Sequence, residues 1–459
     1  MEQKRDDSLA SGKISSLLVK FAVPSIIAMV VGSVYNIIDQ LFIGHSVGEL
    51  GNAATTVAFP LTISCVALGL LFGIGGASNF NLSMGRRETE KAGYYIGNSA
   101  VMLLLSGAVL MLITLFFLDP LLHFFGSPAD VLDYARSYVG ITAFGFPMLI
   151  LTTGGGHLIR ADGSPQMTMI CSITGAVINI GLDYLFVFVM DKGVAGAAFA
   201  TIIGQFVSGL MVIWYLMHYK TMRLGREHLI PRWPVVSRVM MLGAANSFNQ
   251  VAMMVIQIVL NNSLRKYGAQ SVYGEVIPVA CAGIVMKVCQ LFFSVVIGLS
   301  QGTQPIESFN YGAGNYNRVK KAYMLAMGAG AALSVVSFAV FQVFPAQILA
   351  LFGKGGELYV EFGVRYFRIY MFCTIVNFVQ PISSNLFTSI GKPYKGIFLA
   401  LTRQILFLLP LLVILPCFMG IDGILYSCPI ADMVAFITAI VMVVAEFKKM
   451  DRLEGVRER

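Results

Sequence analysis

Four ionisable side chains lie inside stretches of sequence that are otherwise apolar: Asp39, Asp183, Lys287 and Asp432. An ionisable group in the middle of a bilayer costs roughly 2.5–3.5 kcal/mol on insertion scales, so such groups are taken as functional by default. Carboxyl groups placed there exchange protons or hold cations. The sequence therefore points first to chemistry that moves ions rather than to bond-breaking catalysis.

The two aspartates in the first half of the chain each have polar neighbours on the same helical face. Tyr35 and Asn36 precede Asp39 by four and three residues, and Asn179 precedes Asp183 by four. Two such helices would hold a proton, or Na⁺ at Asp39, Asn179 and Asp183. The alternative is that both carboxylates lie near helix ends and are merely hydrated. Their position inside apolar stretches favours function.

The other charged candidates are more ambiguous. Lys287 would either neutralise a carboxylate and guard a cavity, or snorkel and hold its half of the protein together. Asp432 follows Pro429 and is predicted to satisfy backbone groups that the proline frees. Glu275 and Glu307 lie near predicted helix ends, which places them at the membrane interface.

The elements that must position these residues are membrane-spanning helices. The chain is 57% hydrophobic and 12% charged, about half the charged fraction of soluble domains. A crossing takes about 20 mostly apolar residues. Twelve stretches qualify, at 14–43, 51–80, 94–118, 136–158, 166–190, 194–217, 235–263, 276–305, 320–345, 362–388, 396–419 and 423–447. The predicted fold class is an all-α polytopic membrane protein.

The distribution of lysine and arginine predicts the orientation. Of the 32 basic residues, 24 fall on the side that holds both termini, 7 fall on the other, and Lys287 lies within a helix. This bias predicts a multi-pass protein of the bacterial cytoplasmic membrane with both termini in the cytoplasm.

The two halves of the chain resemble each other. Gly163-Ser164-Pro165 follows the fourth predicted helix, and Gly391-Lys392-Pro393 follows the tenth. With six helices per half, the repeat is parallel, and its pseudo-twofold axis runs along the membrane normal. We predict an N-lobe over 1–220, a cytoplasmic linker over 221–234 and a C-lobe over 235–459. One chain supplies both lobes, so a monomer would suffice.

Several other functions are disfavoured. The chain has no Walker lysine motif, no HExxH and no GxSxG, and its seven cysteines include no CxxC pair. The net charge of +8 sits in short loops, as topology signals do, so nucleic acid is not an expected partner. We expect no enzyme activity and no resident cofactor.

Four segments carry a resemblance to a known family. They are Pro24 with Tyr35-Asn36-Ile37-Ile38-Asp39, Arg160-Ala161-Asp162-Gly163, Asn179-Ile180-Gly181-Leu182-Asp183, and Gly302-Thr303-Gln304-Pro305 with Phe309-Asn310-Tyr311-Gly312. Together they resemble the multidrug and toxic compound extrusion (MATE) family of antiporters, in its MepA-like bacterial branch. The resemblance covers nearly the whole chain.

The resemblance implies a site for a coupling ion in the N-lobe, at Tyr35, Asp39, Asn179, Asp183 and Thr201. It also implies that the first helix bends at Pro24 when this site is protonated. We expect drug contacts from residues near a cavity between the lobes: Asn36, Gln250, Met254, Gln257 and Lys287.

Two departures from the family pattern stand out. Residues 243–259 contain no carboxylate, which disfavours coupling through the C-lobe, and Glu307 replaces a small or apolar residue. The predicted function is export of cationic, amphipathic drugs in exchange for H⁺ or Na⁺. The main alternative is a flippase for lipid-linked precursors or polysaccharides from the same superfamily. A membrane-embedded enzyme or receptor is disfavoured by the repeat and by the lack of a catalytic cluster.

Overall fold

A computed structural model describes residues 9–46, 48–125, 127, 129–352 and 356–457. Within these ranges the chain is helical and contains no strand. The α-helices are α1 (Ile14–Ser46), α2 (Glu49–Gly85), α3 (Thr89–Phe116), α4 (Leu118–Phe124), α5 (Ala129–Thr142), α6 (Phe146–Ala161), α7 (Pro165–Asp183), α8 (Gly193–Met217), α9 (Trp233–Gly268), α10 (Val276–Gly312), α11 (Tyr316–Val343), α12 (Pro345–Phe352), α13 (Glu357–Tyr370), α14 (Thr374–Asn377), α15 (Val379–Ser389), α16 (Pro393–Leu401), α17 (Leu409–Met419) and α18 (Ile421–Arg457).

Eleven of the predicted crossings are continuous helical segments that are long and apolar enough to span a bilayer. The twelfth, predicted at 362–388, consists of the three short helices α13, α14 and α15. Pro381, in the first turn of α15, has no N–H to donate to the carbonyl of Asn377, and the helix is interrupted at Phe378. A second interruption, at 371–373, separates α13 from α14. The predicted all-α fold is thus confirmed, with one crossing discontinuous rather than a single helix.

Two helices widen into π-helical turns at corresponding places in the two halves. Tyr184–Val189 follows directly after Asp183 at the end of α7, and Thr402–Leu408 follows α16. π-Helical turns are rare and occur often at functional sites. The sequence pattern did not predict either of them.

The side of the molecule where α1 begins and α18 ends is called the terminus side below. On this side the two halves approach each other through glycines. A Cβ built on Gly75 of α2 would lie 1.9 Å from the carbonyl oxygen of Val239, and one on Gly243 of α9 would lie 1.8 Å from that of Leu71. These backbones touch, so only glycine fits at either position.

The same close approach recurs between α1 and α10. A Cβ on Gly302 would lie 2.4 Å from the Cα of Ala22, and one on Gly298 would lie 2.5 Å from the Cα of Ile26. Each of these contacts lies in the half of its helix nearer the terminus side. The two halves are therefore sealed against each other on that side.

Polar side chains reinforce this seal. Arg160 of α6 donates to Oε1 of Gln301 at 2.9 Å, and Gln304 of α10 donates to Oγ of Ser78 at 2.7 Å. All four side chains are buried. The Arg160 bond is charge-assisted and therefore stronger than the neutral Gln304 bond, and both add to the backbone contacts that hold the terminus side shut.

The connection between the halves runs from His218 to Arg232 and contains one short 3₁₀ turn, Arg226–Leu229. It is anchored to α3, because Asn98 donates to the carbonyls of His228 at 2.8 Å and Ile230 at 3.1 Å. The predicted boundaries of the lobes, at 220 and 235, stay a prediction; residues 1–8 and 458–459 of those units lie outside the described part of the chain.

We expect Gly243→Ala to lower the stability of the purified protein, because the added methyl group has no room against Leu71. Overpacking of this kind typically costs about 1–3 kcal/mol. Gly283→Ala is the matched control, since a Cβ at Gly283 meets nothing within 4 Å. The measurement is the thermal unfolding midpoint in detergent. Equal midpoints for the two variants would contradict the proposed backbone seal.

Candidate functional site

The candidate site is built around two carboxyl groups on different helices. Asp39 lies on α1, and Asp183 is the last residue of α7 before the π-helical turn. Their side chains are within hydrogen-bonding reach of each other. Asp39 is 9% exposed and Asp183 is 0% exposed, so neither is hydrated as a surface carboxylate is. The reading in which both are merely solvated near helix ends is thus wrong.

Amide and hydroxyl groups surround the pair, as the sequence predicted. Asn179 lies one turn before Asp183 and is 3% exposed. With its amide nitrogen turned toward Asp183, it donates to Oδ2 at 3.2 Å and accepts from the backbone N–H of Thr201 at 3.2 Å. Tyr35 lies close enough to both aspartates to interact with them electrostatically. The five residues predicted for the ion site therefore come together.

Tyr138 also belongs to this cluster, although the sequence analysis did not identify it. It lies on α5, is close to Tyr35 and to both aspartates, and its hydroxyl is hydrogen-bonded to Thr201. Unlike Tyr35, which precedes Asp39 by four residues, Tyr138 has no carboxylate three or four residues away on its own helix. The spacing of residues therefore gave no reason to assign it to the site. The only available sign was a phenol inside an apolar stretch.

Each carboxyl group keeps one oxygen without a protein partner. Oδ1 of Asp39 and Oδ1 of Asp183 are buried and have no hydrogen-bond partner among the described residues. No lysine or arginine within the described ranges forms an ion pair with either aspartate. Buried polar atoms are nearly always satisfied, so two orphans in one cluster call for a ligand. A proton or a small hard cation would supply what the carboxyl oxygens lack.

A cavity of about 500 Å³ lies on the side opposite the terminus side. It is formed where α1 ends, α2 begins and α10 passes, and its lining residues are Gln40, Leu41, Gly44, Asn52, Thr55, Thr56 and Lys287. The predicted contact Lys287 is therefore on the wall of a cavity. Because the terminus side is sealed, this cavity is on the accessible side of the molecule.

The other predicted drug contacts are less clearly placed. Asn36 is exposed, and its amide donates to the carbonyl of Gly32 at 2.7 Å rather than to the acidic pair. Gln250, Met254 and Gln257 are half-buried on α9, and none of them lines this cavity. Their role as drug contacts stays a prediction.

Pro24 lies buried inside α1, which continues as one helix through it. Lacking an N–H, it leaves the carbonyl of Lys20 without the usual helical bond. The next residue, Ser25, donates its hydroxyl to the carbonyl of Phe21 at 2.8 Å and supports this weakened turn. The predicted bending role of Pro24 remains a prediction.

The structure corrects two predictions about charged residues. Asp432 pairs with Arg403 at 2.5 Å in the interior, instead of serving the backbone near Pro429. Glu307 was placed at the membrane interface but is 0% exposed; Ser389 lies within hydrogen-bonding reach of it, and no described lysine or arginine forms an ion pair with it. Neither correction was visible from sequence, because both depend on contacts between distant helices.

These helices, their two-lobe arrangement and the enclosed acidic pair define a polytopic membrane protein with a transporter fold. The MatE family model matches residues 24–185 and 246–414, more than half of the chain, so the chain belongs to the MatE family. This confirms the resemblance found in the sequence.

Similar proteins agree with this assignment. The chain is 24% identical over 443 residues to the multidrug export protein MepA of Staphylococcus haemolyticus (strain JCSC1435), covering 96% of each chain. A solved multidrug resistance MATE family transporter of the MOP superfamily, in an outward-facing conformation, superposes with a TM-score of 0.90 at 21% identity and covers 96% of this chain and 98% of its own.

A second solved structure is a MOP superfamily transporter from Pyrococcus furiosus Vc1 (DSM3638). It superposes with a TM-score of 0.89 at 21% identity, over 97% of this chain and 98% of the other. The reversed polarity of the binding pocket in that protein is described as suggesting a different function.

We expect neutral substitutions of the two buried acids Asp432 and Glu307 to have opposite effects on stability. Asp432→Asn leaves the Arg403 guanidinium without its counter-charge, which typically costs about 3–5 kcal/mol. Glu307→Gln keeps the size of the side chain and removes no ion pair, so we expect it to leave stability unchanged or to raise it. Thermal unfolding of the two variants in the same detergent measures the difference. An equal loss in both would contradict this assignment of paired and unpaired acids.

Proposed function

We propose that the chain exports cationic or amphipathic drugs across the bacterial cytoplasmic membrane in exchange for H⁺ or Na⁺, by alternating access. The observation that carries the proposal is the pair Asp39 and Asp183, enclosed together and each with an unpartnered oxygen. A buried acidic pair binds the coupling ion and repels none of the cationic cargo. The relatives named as multidrug exporters support the choice of cargo.

The exchange follows from differential affinity. The conformation described here is sealed on the terminus side and has its cavity on the opposite side. With the termini in the cytoplasm, as the basic residues predict, this is the conformation that releases drug and accepts an ion from outside. Ion and drug each act only through their different affinities for the two conformations.

Energy for export comes from the ion. Inward movement of one elementary charge is worth about 2.3 kcal/mol per 100 mV of membrane potential. When the ion occupies the acidic pair, the net charge of the site changes. Asp39 and Pro24 both lie on α1, so a shift of this helix would link ion binding to bending at Pro24. One chain holds both lobes, so the proposed transporter works as a monomer in the lipid bilayer.

We expect Asp183→Asn to reduce ethidium efflux by about 10-fold or more, because the amide cannot take up a proton or balance a cation. The assay uses drug-sensitive bacterial cells in which the proton and sodium gradients are collapsed in turn. The gradient whose loss stops the wild type identifies the coupling ion.

Asp191→Asn is the matched control. It makes the same chemical change at an exposed residue eight positions further along the chain, where the backbone φ of 49° suits asparagine. Normal efflux by Asp183→Asn at equal membrane levels would show that the acidic pair is not the coupling site.

Lys287 is the one observation that favours the alternative, a flippase for anionic lipid-linked substrates. It lines the cavity, and no described carboxylate pairs with it. A basic wall would bind a phosphate-bearing headgroup. Against this stands the single lysine, since a diphosphate is usually held by several basic groups.

The two functions predict opposite effects of Lys287→Gln. For a cation exporter, loss of a like charge from the cavity wall lowers the KM for ethidium by about 2- to 5-fold, corresponding to ~1 kcal/mol or less across a hydrated cavity. For an anionic substrate, the same change weakens transport. Lys287→Arg retains the charge and serves as control. Loss of ethidium export in Lys287→Gln but not in Lys287→Arg would favour the flippase.

A further inference from the structure

A second cavity, of about 380 Å³, lies on the terminus side, away from the acidic pair. Its wall combines Lys20 of α1, Lys220 of the segment after α8, and the first turns of α7 with the turn before them. The remaining lining residues are Gly163, Ser164, Pro165, Gln166, Met167 and Ile170. Nothing in the proposed export cycle uses this place.

The two lysines are free to bind an anion. Among the described residues neither is paired with a carboxylate; Lys20 lies 5.9 Å from the ring of Phe21, and Lys220 lies 5.9 Å from the ring of Tyr215. Both side chains are exposed. Two ammonium groups on one cavity wall, neither in an ion pair with a described residue, favour a negatively charged ligand.

A buried aspartate holds Lys220 in position. Asp162 accepts the backbone N–H of Lys220 at 2.8 Å and the hydroxyl of Tyr215 at 2.7 Å. It is 2% exposed, and it does not line the cavity. It also accepts the backbone N–H and the hydroxyl of Thr221, so Asp162 fixes the backbone beside Lys220 while the Lys220 side chain remains on the cavity wall.

The N-terminus of α7 adds a third contribution. Ser164 is the residue before this 19-residue helix, yet its side chain makes no capping hydrogen bond. The residue is 8% exposed and lines the cavity, so its hydroxyl is available to a ligand there. Helix N-termini with free donors favour negatively charged groups.

At the corresponding place in the second half of the chain, the lysines have an acidic partner. There Lys392 and Lys395 both pair with Glu446, Lys395 at 2.8 Å, and Glu446 is 1% exposed. The turn Gly391-Lys392-Pro393 thus carries its own counter-ion. Beside the matching turn in the first half, no carboxylate of the described residues forms an ion pair with Lys20 or Lys220, so an anionic ligand would supply their counter-charge.

The surroundings identify the source of that anion. Met167 and Ile170 continue the cavity wall along α7, and Ile170 is 46% exposed on the outer surface of the helix. Lys20 lies six residues inside the start of α1, at the depth of lipid headgroups rather than in bulk water. We propose that this cavity binds the phosphate headgroup of an anionic phospholipid from the terminus-side leaflet, with an acyl chain along α7.

The test uses the full chain in detergent, with native mass spectrometry to measure binding of phosphatidylglycerol and of phosphatidylcholine with the same acyl chains. The wild type is expected to prefer phosphatidylglycerol by about 10-fold or more. Each lysine near an anionic lipid is worth a factor of about 5, so Lys20→Gln with Lys220→Gln should abolish the preference. Ser164→Ala should lower phosphatidylglycerol affinity severalfold with no change of net charge.

The control is Lys91→Gln with Lys395→Gln, which removes two charges from the same side but from lysines that have acidic partners. An equal loss of preference in the control would overturn the proposal, because it would show a general charge effect. Retained preference in Lys20→Gln/Lys220→Gln, at an unchanged unfolding midpoint, would overturn it too. Glycerol phosphate that displaces the lipid at equal affinity would assign the site to a free phosphate and not to a membrane lipid.

Discussion

The close meeting of Asp39 and Asp183 in a place that excludes water is the constraint on which the rest of the structure depends. Two carboxyl groups so enclosed are stable together only when a proton, a cation or each other's hydrogen bond offsets the charge. Within the described part of the chain, the helices around them supply amides and hydroxyls, and no lysine or arginine forms an ion pair with either carboxylate. This arrangement is the basis for the proposal that an ion binds here and that the loaded and empty sites favour different conformations.

The contacts that close the terminus side are the second feature on which the structure depends. It is made from backbones in contact through glycine and from a few buried polar bonds, of which Arg160 with Gln301 is one. Lipid offers no hydrophobic force to hold membrane helices together, so close backbone approach and hydrogen bonds must do so. Both kinds of contact are short in range and are lost together when the halves part, which suits an interface with two discrete states.

The fold was largely predictable from the sequence, because crossing a bilayer demands long apolar helices and leaves a strong trace in composition. The acidic pair was predictable for the same reason: Asp39 and Asp183 interrupt stretches that should hold no charge. Tyr138, the burial of Glu307 and the pairing of Arg403 with Asp432 were not predictable. Each depends on which faces of distant helices meet, and a single sequence carries no record of that. The break in the tenth crossing was not predicted because prolines such as Pro381 are tolerated inside continuous membrane helices and so do not mark a break by themselves.

The glycine contacts limit how this protein is able to change. Gly75 and Gly243 touch carbonyl oxygens, so no other residue fits there without pushing the helices apart. Substitutions at these two positions therefore cannot adjust how tightly the terminus side closes. Substitutions that change how readily the terminus side opens are instead expected at the neighbouring polar pairs, such as Gln304 with Ser78. Loss of such a pair leaves the close backbone contacts in place. Adaptation of turnover to a new cargo would then begin at residues that lie outside the cavity of about 500 Å³.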